Sequence, residues 1–255
     1  MGLAGKNASD MKHDPSVWVP AEHVDIPASD TIHLCCVRLL SGSTDRLREL
    51  LSTDELARAD RFVFEDDRRR FTVARAVLRQ ILASYLDLSA SSIAFQYGDN
   101  GKPALDSALD LEFNLSHSGD FAVYAFGCGR RLGIDIESVA AGNNPERVAE
   151  RFFTPGENAS LLRLPPEERQ RAFVTFWVRK EAYLKACGEG LFTSPEAFET
   201  TLDDPPRILS VGGDAGAASE WTLTDFAPAA GYHAALVQDG GAAQIERYAW
   251  ESAAD

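Results

Sequence analysis

The pattern Phe-x-Val-x-basic occurs twice, as Phe71-x-Val73-x-Arg75 and Phe176-x-Val178-x-Lys180. Each copy opens the apolar part of a long stretch with helical spacing. An Arg-Phe pair precedes each copy (Arg61-Phe62, Arg151-Phe152), and a Gly-x-x-Ala leading into an apolar run follows each (Gly119-x-x-Ala122, Gly231-x-x-Ala234). Such an echo constrains the chain to two similar α+β halves meeting near residues 127–131, and 255 residues are enough for both. The organisation read from it is an N-terminal extension over 1–30 whose first dozen residues are disordered, an N-terminal half over 31–129 and a C-terminal half over 130–250.

Local patterns fill in the elements. Alternation of Ile32, Leu34 and Cys36 predicts a strand over 31–40. A short helix is expected over 43–51, and Ser52-Thr53-Asp54-Glu55 opens another with a capping-box pattern. Phe71, Ala74, Leu78, Ile81, Leu82 and Tyr85 predict a long helix over 66–86. A short strand over 93–97 and a turn at 99–101 lead to strands over 111–115 and 121–126, with Ser116-His117-Ser118-Gly119 read as the turn between them. A strand over 131–137, a turn at 142–145 and a short helix over 145–153 follow. Glu157 reads as the start of a helix, where an acidic residue is favourable on electrostatic grounds. A loop over 162–166 precedes a long helix from Glu167, and loops over 203–206 and 211–219 lead to closing strands over 221–226, 232–238 and 243–250.

The second long helix carries the densest chemistry. Phe173, Trp177 and Leu184 form an apolar stripe, Gly188 and Gly190 supply the stop, and Glu181 and Lys185 lie one turn apart beside the stripe. Alone, that pair reads equally well as an i,i+4 ion pair on a wet surface. In Gly133-Ile134-Asp135-Ile136-Glu137 the period of a strand puts both carboxylates on one face and both isoleucines on the other. Two carboxylates side by side repel unless a positive charge lies between them, and a hard divalent cation such as Mg²⁺ suits one or two carboxylates plus phosphate oxygens. A wet acidic face on an amphipathic strand remains the alternative. Ser116-His117-Ser118 lacks the Gly-x-Ser-x-Gly elbow of a hydrolase nucleophile and reads instead as a set of hydrogen-bond donors for phosphate, or as a structural histidine in a hairpin.

Together these motifs resemble one family. Phe113-Asn114-Leu115-Ser116-His117-Ser118, Gly133-Ile134-Asp135-Ile136-Glu137 and the run from Trp177 through Lys180-Glu181-Ala182, Lys185, Gly188 and Gly190 stand in the order and spacing of the phosphopantetheinyl transferases, in their large, surfactin-synthetase-type branch. Asn100-Gly101-Lys102-Pro103, Arg151-Phe152-Phe153 with Glu157, and the run from Asp67 to Phe71 leading to Arg75 extend the likeness over about residues 50–200. The resemblance implies an α+β pseudo-two-fold pair of halves, each a long helix on a small antiparallel sheet, with the active site between them. It implies transfer of the 4′-phosphopantetheine arm of coenzyme A to a serine of an apo acyl or peptidyl carrier protein, with release of 3′,5′-ADP. It assigns Mg²⁺, or Mn²⁺, to Asp135, Glu137 and Glu181, the base to Glu181, and stabilisation of the transition state and leaving group to Lys185. It assigns phosphate contacts to Ser116 and His117, the 3′-phosphate to Lys102 with Arg75 nearby, and a weaker contact to Arg58. Glu55 stands where some relatives carry a basic residue. The competing classes are a metal-dependent phosphodiester hydrolase and a non-catalytic coenzyme A-binding relative, whose mark would be loss of a carboxylate or of the lysine; none is missing.

A net charge of −14 argues against nucleic acid as a partner and requires that a polyanion such as coenzyme A be met by a local basic patch. No apolar run approaches the length of a membrane span, and residues 1–30 lack the apolar segment of a signal peptide. Cys35, Cys36, Cys128 and Cys187 show no metal-finger spacing and read as reduced packing residues of a cytoplasmic monomer. Because an acidic enzyme cannot attract an acidic carrier at long range, the docking surface is expected to be small and largely apolar, with one or two arginines.

Overall fold

The structure, a computed structural model, describes residues 17–40, 43–98, 102–105, 110–140, 145–188 and 198–251. The turns expected at 99–101 and 142–144, the stop at Gly190 and the first sixteen residues lie outside them. In chain order the elements are β1 (Val19–Ala21), β2 (Thr31–Arg38), α1 (Asp45–Arg48), α2 (Thr53–Ala59), α3 (Glu65–Leu86), β3 (Phe95–Tyr97), β4 (Pro103–Leu105), β5 (Leu111–Ser118) and β6 (Phe121–Cys128). There follow β7 (Leu132–Ser138), α4 (Pro145–Phe152), α5 (Pro155–Leu162), α6 (Pro166–Cys187), β8 (Phe198–Thr200), β9 (Ile208–Val211), β10 (Trp221–Phe226), β11 (Tyr232–Asp239) and β12 (Gln244–Trp250).

The echo in the sequence is an echo in the fold. Each half runs strand, two short helices, a 22-residue helix, a two-stranded ribbon and a hairpin. The three main strands pair antiparallel in the same order both times, β2-β6-β5 and β7-β11-β10. The architecture is thus an α+β pair of similar halves, each with a long helix on a small sheet. One strand breaks the symmetry: β12 returns to the first sheet, lies parallel to β2 and carries β1 on its outer edge.

Three apolar layers hold the halves. Val73, Val77, Leu78 and Ile81 of α3 pack on Cys35, Val37, Tyr124 and Phe126. The other faces of β2 and β6 (Ile32, Leu34, Val123, Ala125) meet Ile134, Ile136 and Leu236 of the second sheet, so the two sheets lie back to back. Val174, Val178, Ala182 and Ala186 seat α6 on Ala235 and Val237 of β11. The deepest stripe of α6 is therefore this small-residue row; Phe173, Trp177 and Leu184 are only half-buried. The seat is close because β7 has no side chain at Gly133, where a Cβ would overlap the backbone of Ala182, Lys185 and Ala186.

Each long helix is also tied down by a buried carboxylate. Glu55 and Glu157 complete capping boxes with Ser52 and Thr154 at the starts of α2 and α5. Glu55 receives Arg79 Nε at 2.6 Å and lies 3.4 Å from Arg75 Nε, while Arg79 Nη1 donates to the carbonyls of Ala90 and Ile93 at 2.9 and 3.0 Å. Glu157 receives Lys180 Nζ at 2.7 Å and the amides of Thr154 and Thr200 at 3.0 Å each, and Lys180 also donates to Phe198 O. Burial pushes the Glu157 carboxyl up and the Lys180 ammonium down, and each charge partly restores the other. One ion pair thus joins the helix before α6, α6 itself and the strand after it.

Several expectations change here. The Ser116-His117-Ser118 segment is the end of β5 and not a turn. Ser118 pairs with Phe121, so the reversal is confined to Gly119 and Asp120, with Gly119 at φ 52° and Tyr232 Oη against it. Residues 17–30, grouped by sequence with the extension, contribute β1 and the buried Val24. The short strands β1, β4, β8 and β9 carry too few residues to show a period.

Removing one partner of a buried pair strands the other charge. Lys180→Met is expected to lower unfolding free energy by about 3–5 kcal/mol. The Glu157→Gln/Lys180→Met double variant should lose clearly less than the sum of the two single losses. Urea unfolding of all four proteins measures the cycle; additive losses would show that the pair is not a unit.

Candidate active site

β5 and β7 run side by side at the junction of the halves without forming a ladder; side chains join them. Asn114 Oδ1 accepts from Ile134 N at 2.9 Å, Ser116 Oγ donates to Asp135 Oδ1 at 2.7 Å, and Ser118 Oγ donates to Glu137 Oε2 at 2.8 Å. Alternation explains the row: Asn114, Ser116 and Ser118 share one face of β5, and Asp135 and Glu137 share one face of β7. Because α6 lies so close to β7, its last turns bring Glu181 and Lys185 to the same place. Lys185 Nζ reaches Asp135 Oδ1 at 2.6 Å, Ser116 Oγ at 2.9 Å and Ile134 O at 3.2 Å. The lysine therefore pairs across to β7, where the bland alternative placed it one turn back on its own helix.

Three carboxylates share one ammonium here, and their protonation reflects it. Burial, then the charge of Asp135, pushes Glu181 up to about 7, with Lys185 pulling the other way and Glu137 adding to the rise. Burial also raises Glu137, against the hydrogen bond from Ser118. Asp135 is 4% exposed, and its Oδ2 is buried with no hydrogen-bond partner. Among the described residues, no three His, Cys, Asp or Glu side chains stand together closely enough to hold a metal ion as they lie. In kind the donors fit one: acid oxygens only, one of them orphaned, and more negative charge than Lys185 balances.

The wall contributed by the first half is basic. Lys102, just before β4, is half-buried and donates to Lys185 O at 3.2 Å, and burial lowers its ammonium. His117 lies on the opposite face of β5 from Ser116 and is exposed. Partial desolvation, then Lys185 and Arg70, with a smaller push from Arg58, hold its imidazole below the usual range. Arg58 is exposed, with its guanidinium 5.2 Å from the centre of the Phe71 ring. Arg75 is 7% exposed, packs over Phe71 and Phe95, and keeps Nη1 buried and unpartnered. Glu55, at the position where a basic residue was looked for, is the buried anchor of Arg79 and Arg75. The structure thus brings Ser116, Asp135 and Lys185 into direct contact, sets Glu137 and Glu181 beside them and ties Lys102 to the end of α6. It leaves Arg58 and Arg75 on the adjoining basic wall. Asn114, Ser118 and Arg70 were not singled out from sequence, though Asn114-x-Ser116-x-Ser118 is itself a period-two polar row.

The sequence descriptor of the 4′-phosphopantetheinyl transferase superfamily matches residues 131–237, and that of the 4′-phosphopantetheinyl transferase N-terminal region matches residues 43–128. The chain is 38% identical over 218 residues to the 4′-phosphopantetheinyl transferase HetI of Nostoc sp., covering 83% of this chain and 89% of that protein. It is 31% identical over 170 residues to a 4′-phosphopantetheinyl transferase of Bacillus subtilis, covering 67% and 75%. In three dimensions it is similar to the holo-[acyl-carrier-protein] synthase of Thermotoga maritima over 45% of this chain and 63% of that one, with a TM-score of 0.34 and 22% identity. Two descriptors that meet at the junction of the halves, and a relative matched over nearly its whole length, place the chain in a single family: it belongs to the 4′-phosphopantetheinyl transferase superfamily and is an enzyme of that type.

Proposed function

We propose that the chain performs its family's reaction in one in-line step at the junction of β5, β7 and α6. The hydroxyl oxygen of a serine on an apo acyl or peptidyl carrier protein attacks the β-phosphorus of coenzyme A. The bond from that phosphorus to the bridging oxygen breaks, 3′,5′-ADP leaves, and the 4′-phosphopantetheine arm stays on the serine. The observation that carries this reading is the contact of Lys185 Nζ with Ser116 Oγ and Asp135 Oδ1 beside a carboxylate, Glu181, poised near neutrality.

Asp135, Glu137 and Glu181 would hold Mg²⁺, or Mn²⁺, whose charge would neutralise the pyrophosphate oxygens. Glu181 takes the serine proton; burial and the charge of Asp135 raise its carboxyl in the metal-free site, and the cation it would hold would pull the other way. Lys185 turns from Asp135 toward the departing 5′-phosphate of 3′,5′-ADP and supplies positive charge to it. Ser116 and His117 donate to phosphate oxygens, and Lys102 and Arg75, with Arg58 at the edge, receive the 3′-phosphate side. This basic wall lets an enzyme of net charge −14 bind a polyanion. Both walls come from one chain, which supports action as a monomer, and four free cysteines agree with a reducing, cytoplasmic setting. Among the described residues no helix is long and apolar enough to cross a membrane.

Mass spectrometry of apo acyl and peptidyl carrier proteins after incubation with coenzyme A and Mg²⁺ is the direct test. The arm should appear on the serine; 3′,5′-ADP formed equally without any carrier would favour a hydrolase. Glu181→Gln is expected to retain coenzyme A while transfer falls by about 10²–10⁴. Asp135→Asn should weaken the metal and recover part of its activity as Mg²⁺ is raised. Full recovery of Glu181→Gln at high Mg²⁺ would reduce that residue to coordination alone.

The raised pKa of Glu181 also acts on stability. A carboxyl higher in the folded than in the unfolded state gives stability that is complete below about pH 4.5 and lost as pH rises toward about 7. With chelator present, Glu181→Gln should therefore melt above the wild type at pH 8, by the equivalent of about 1–2 kcal/mol after solvent screening. The gain should vanish near pH 5. A gain that does not depend on pH would point to packing and not to charge.

A further inference from the structure

Val63 and Phe64 are the most exposed large apolar side chains among the described residues, at 86% and 70%. They stand side by side in the loop between α2 and α3, and that loop is held in place. Phe62 turns inward onto Phe71 with ring centres 5.5 Å apart, Phe62 N donates to Ala59 O at 3.2 Å, and Arg68 Nη2 donates to Phe62 O at 3.2 Å. Phe64 is moreover the N-cap of α3 and makes no side-chain cap bond. Ser, Thr, Asp or Asn is strongly preferred there. The fold thus forgoes a side-chain helix cap and leaves a ring 70% exposed. Local preferences broken without a structural return mark a surface made for a partner.

We propose that Val63 and Phe64 are the apolar anchor on which the carrier protein docks while its serine enters the cleft. The inference rests on the transferase reading of the site and adds the surface that reading leaves open. Position supports it. Arg70 lies six residues further along α3, about 9 Å on a helix axis. It reaches Asp120 at 3.5 Å, in the reversal directly after His117 and Ser118. The anchor is therefore a short helix segment away from the end of β5 that carries His117 and Ser118. Charge supports it as well: Arg61 is exposed beside the pair and has no ion-pair partner among the described residues, and Arg58 is exposed one turn before it. A protein whose face beside the serine is apolar with an acidic rim fits such a surface, and an exposed aromatic next to an arginine is the composition of a binding hot spot.

The test compares Phe64→Ser and Arg61→Glu with the wild type, using an apo acyl carrier protein and an apo peptidyl carrier domain as acceptors. Phe64→Ser also installs a cap, so its melting temperature should equal or exceed that of the wild type. The expected result is a KM for the carrier raised by about 10–100-fold in Phe64→Ser and about 3–10-fold in Arg61→Glu. The kcat and the calorimetric affinity for coenzyme A should be unchanged. A carrier KM within about twofold of the wild type in Phe64→Ser overturns the proposal while leaving the transferase reading intact. If Phe64→Ser instead converts a dimer to a monomer in sedimentation, with carrier KM unaltered, the pair covers a second copy of the chain and the proposal is wrong. If the wild type modifies neither acceptor, the transferase reading fails, and the docking surface falls with it.

Discussion

Gly133 lets the backbone of α6 touch β7, and the distances at the site follow from that contact. A helix normally stands off a strand by the depth of two side chains. Here the strand offers none at position 133, and the helix answers with Ala182 and Ala186. Lys185, on the turn between those alanines, can then reach Ile134 O and Asp135 Oδ1 directly. The Glu157–Lys180 pair fixes the same helix at a second height, between α5 and β8. Two constraints, one steric and one ionic, thus set both the depth and the tilt at which Glu181 and Lys185 are presented.

Charge is distributed between the two walls of the cleft with a division of labour. Among the described residues the second half supplies the carboxylates and one ammonium beside them, whereas the first half supplies hydroxyls, a histidine, Lys102 and arginines. Lys185 lies between the walls and is hydrogen-bonded to both, through Ser116 of β5 and Asp135 of β7. On the proposed reading this makes Lys185 the group whose partner changes during the reaction. Before substrate it balances the aspartate; with substrate it balances phosphate. The buried, unpartnered Asp135 Oδ2 and the near-neutral Glu181 are what a site looks like when its negative charge exceeds its own positive charge.

Much of this was legible in the sequence wherever a period or a cap is long enough to register. The strict alternation in Ile134-Asp135-Ile136-Glu137 placed both carboxylates on the face they occupy, and the capping box at Ser52-Glu55 marked the start of α2. The division into similar halves was legible from two helices with the same opening pattern. Less legible was anything decided between distant segments. Ser116-His117-Ser118 has the composition of a turn, but cross-strand pairing with Phe121 extends β5 through it. The partner of Lys185 lies fifty residues away on another element, and no spacing rule reports it. Arg75 carries an ordinary helical position in sequence; its buried pairing to Glu55 depends on where α2 folds back onto α3.

The return of β12 to the first sheet bears on how a repeated fold comes to have a single working centre. In the second half the free edge of β7 faces β5 and is bridged only by side chains, whereas in the first half the same edge of β2 is sealed by the backbone ladder to β12. Burial makes the counterparts explicit, since Cys35 and Val37 of β2 face α3 while Ile32 and Leu34 face the other sheet, as Ile134 and Ile136 of β7 do. The strand positions that answer to Asp135 and Glu137 are therefore the helix-facing ones, where Cys35 and Val37 lie, and the Phe-x-Val-x-basic alignment puts Ala76 and Gln80 at the places of Glu181 and Lys185. A closed edge admits no substrate, so nothing holds acid and base at those four positions. They have become an inert imprint of the other copy, and two halves yield one centre per chain.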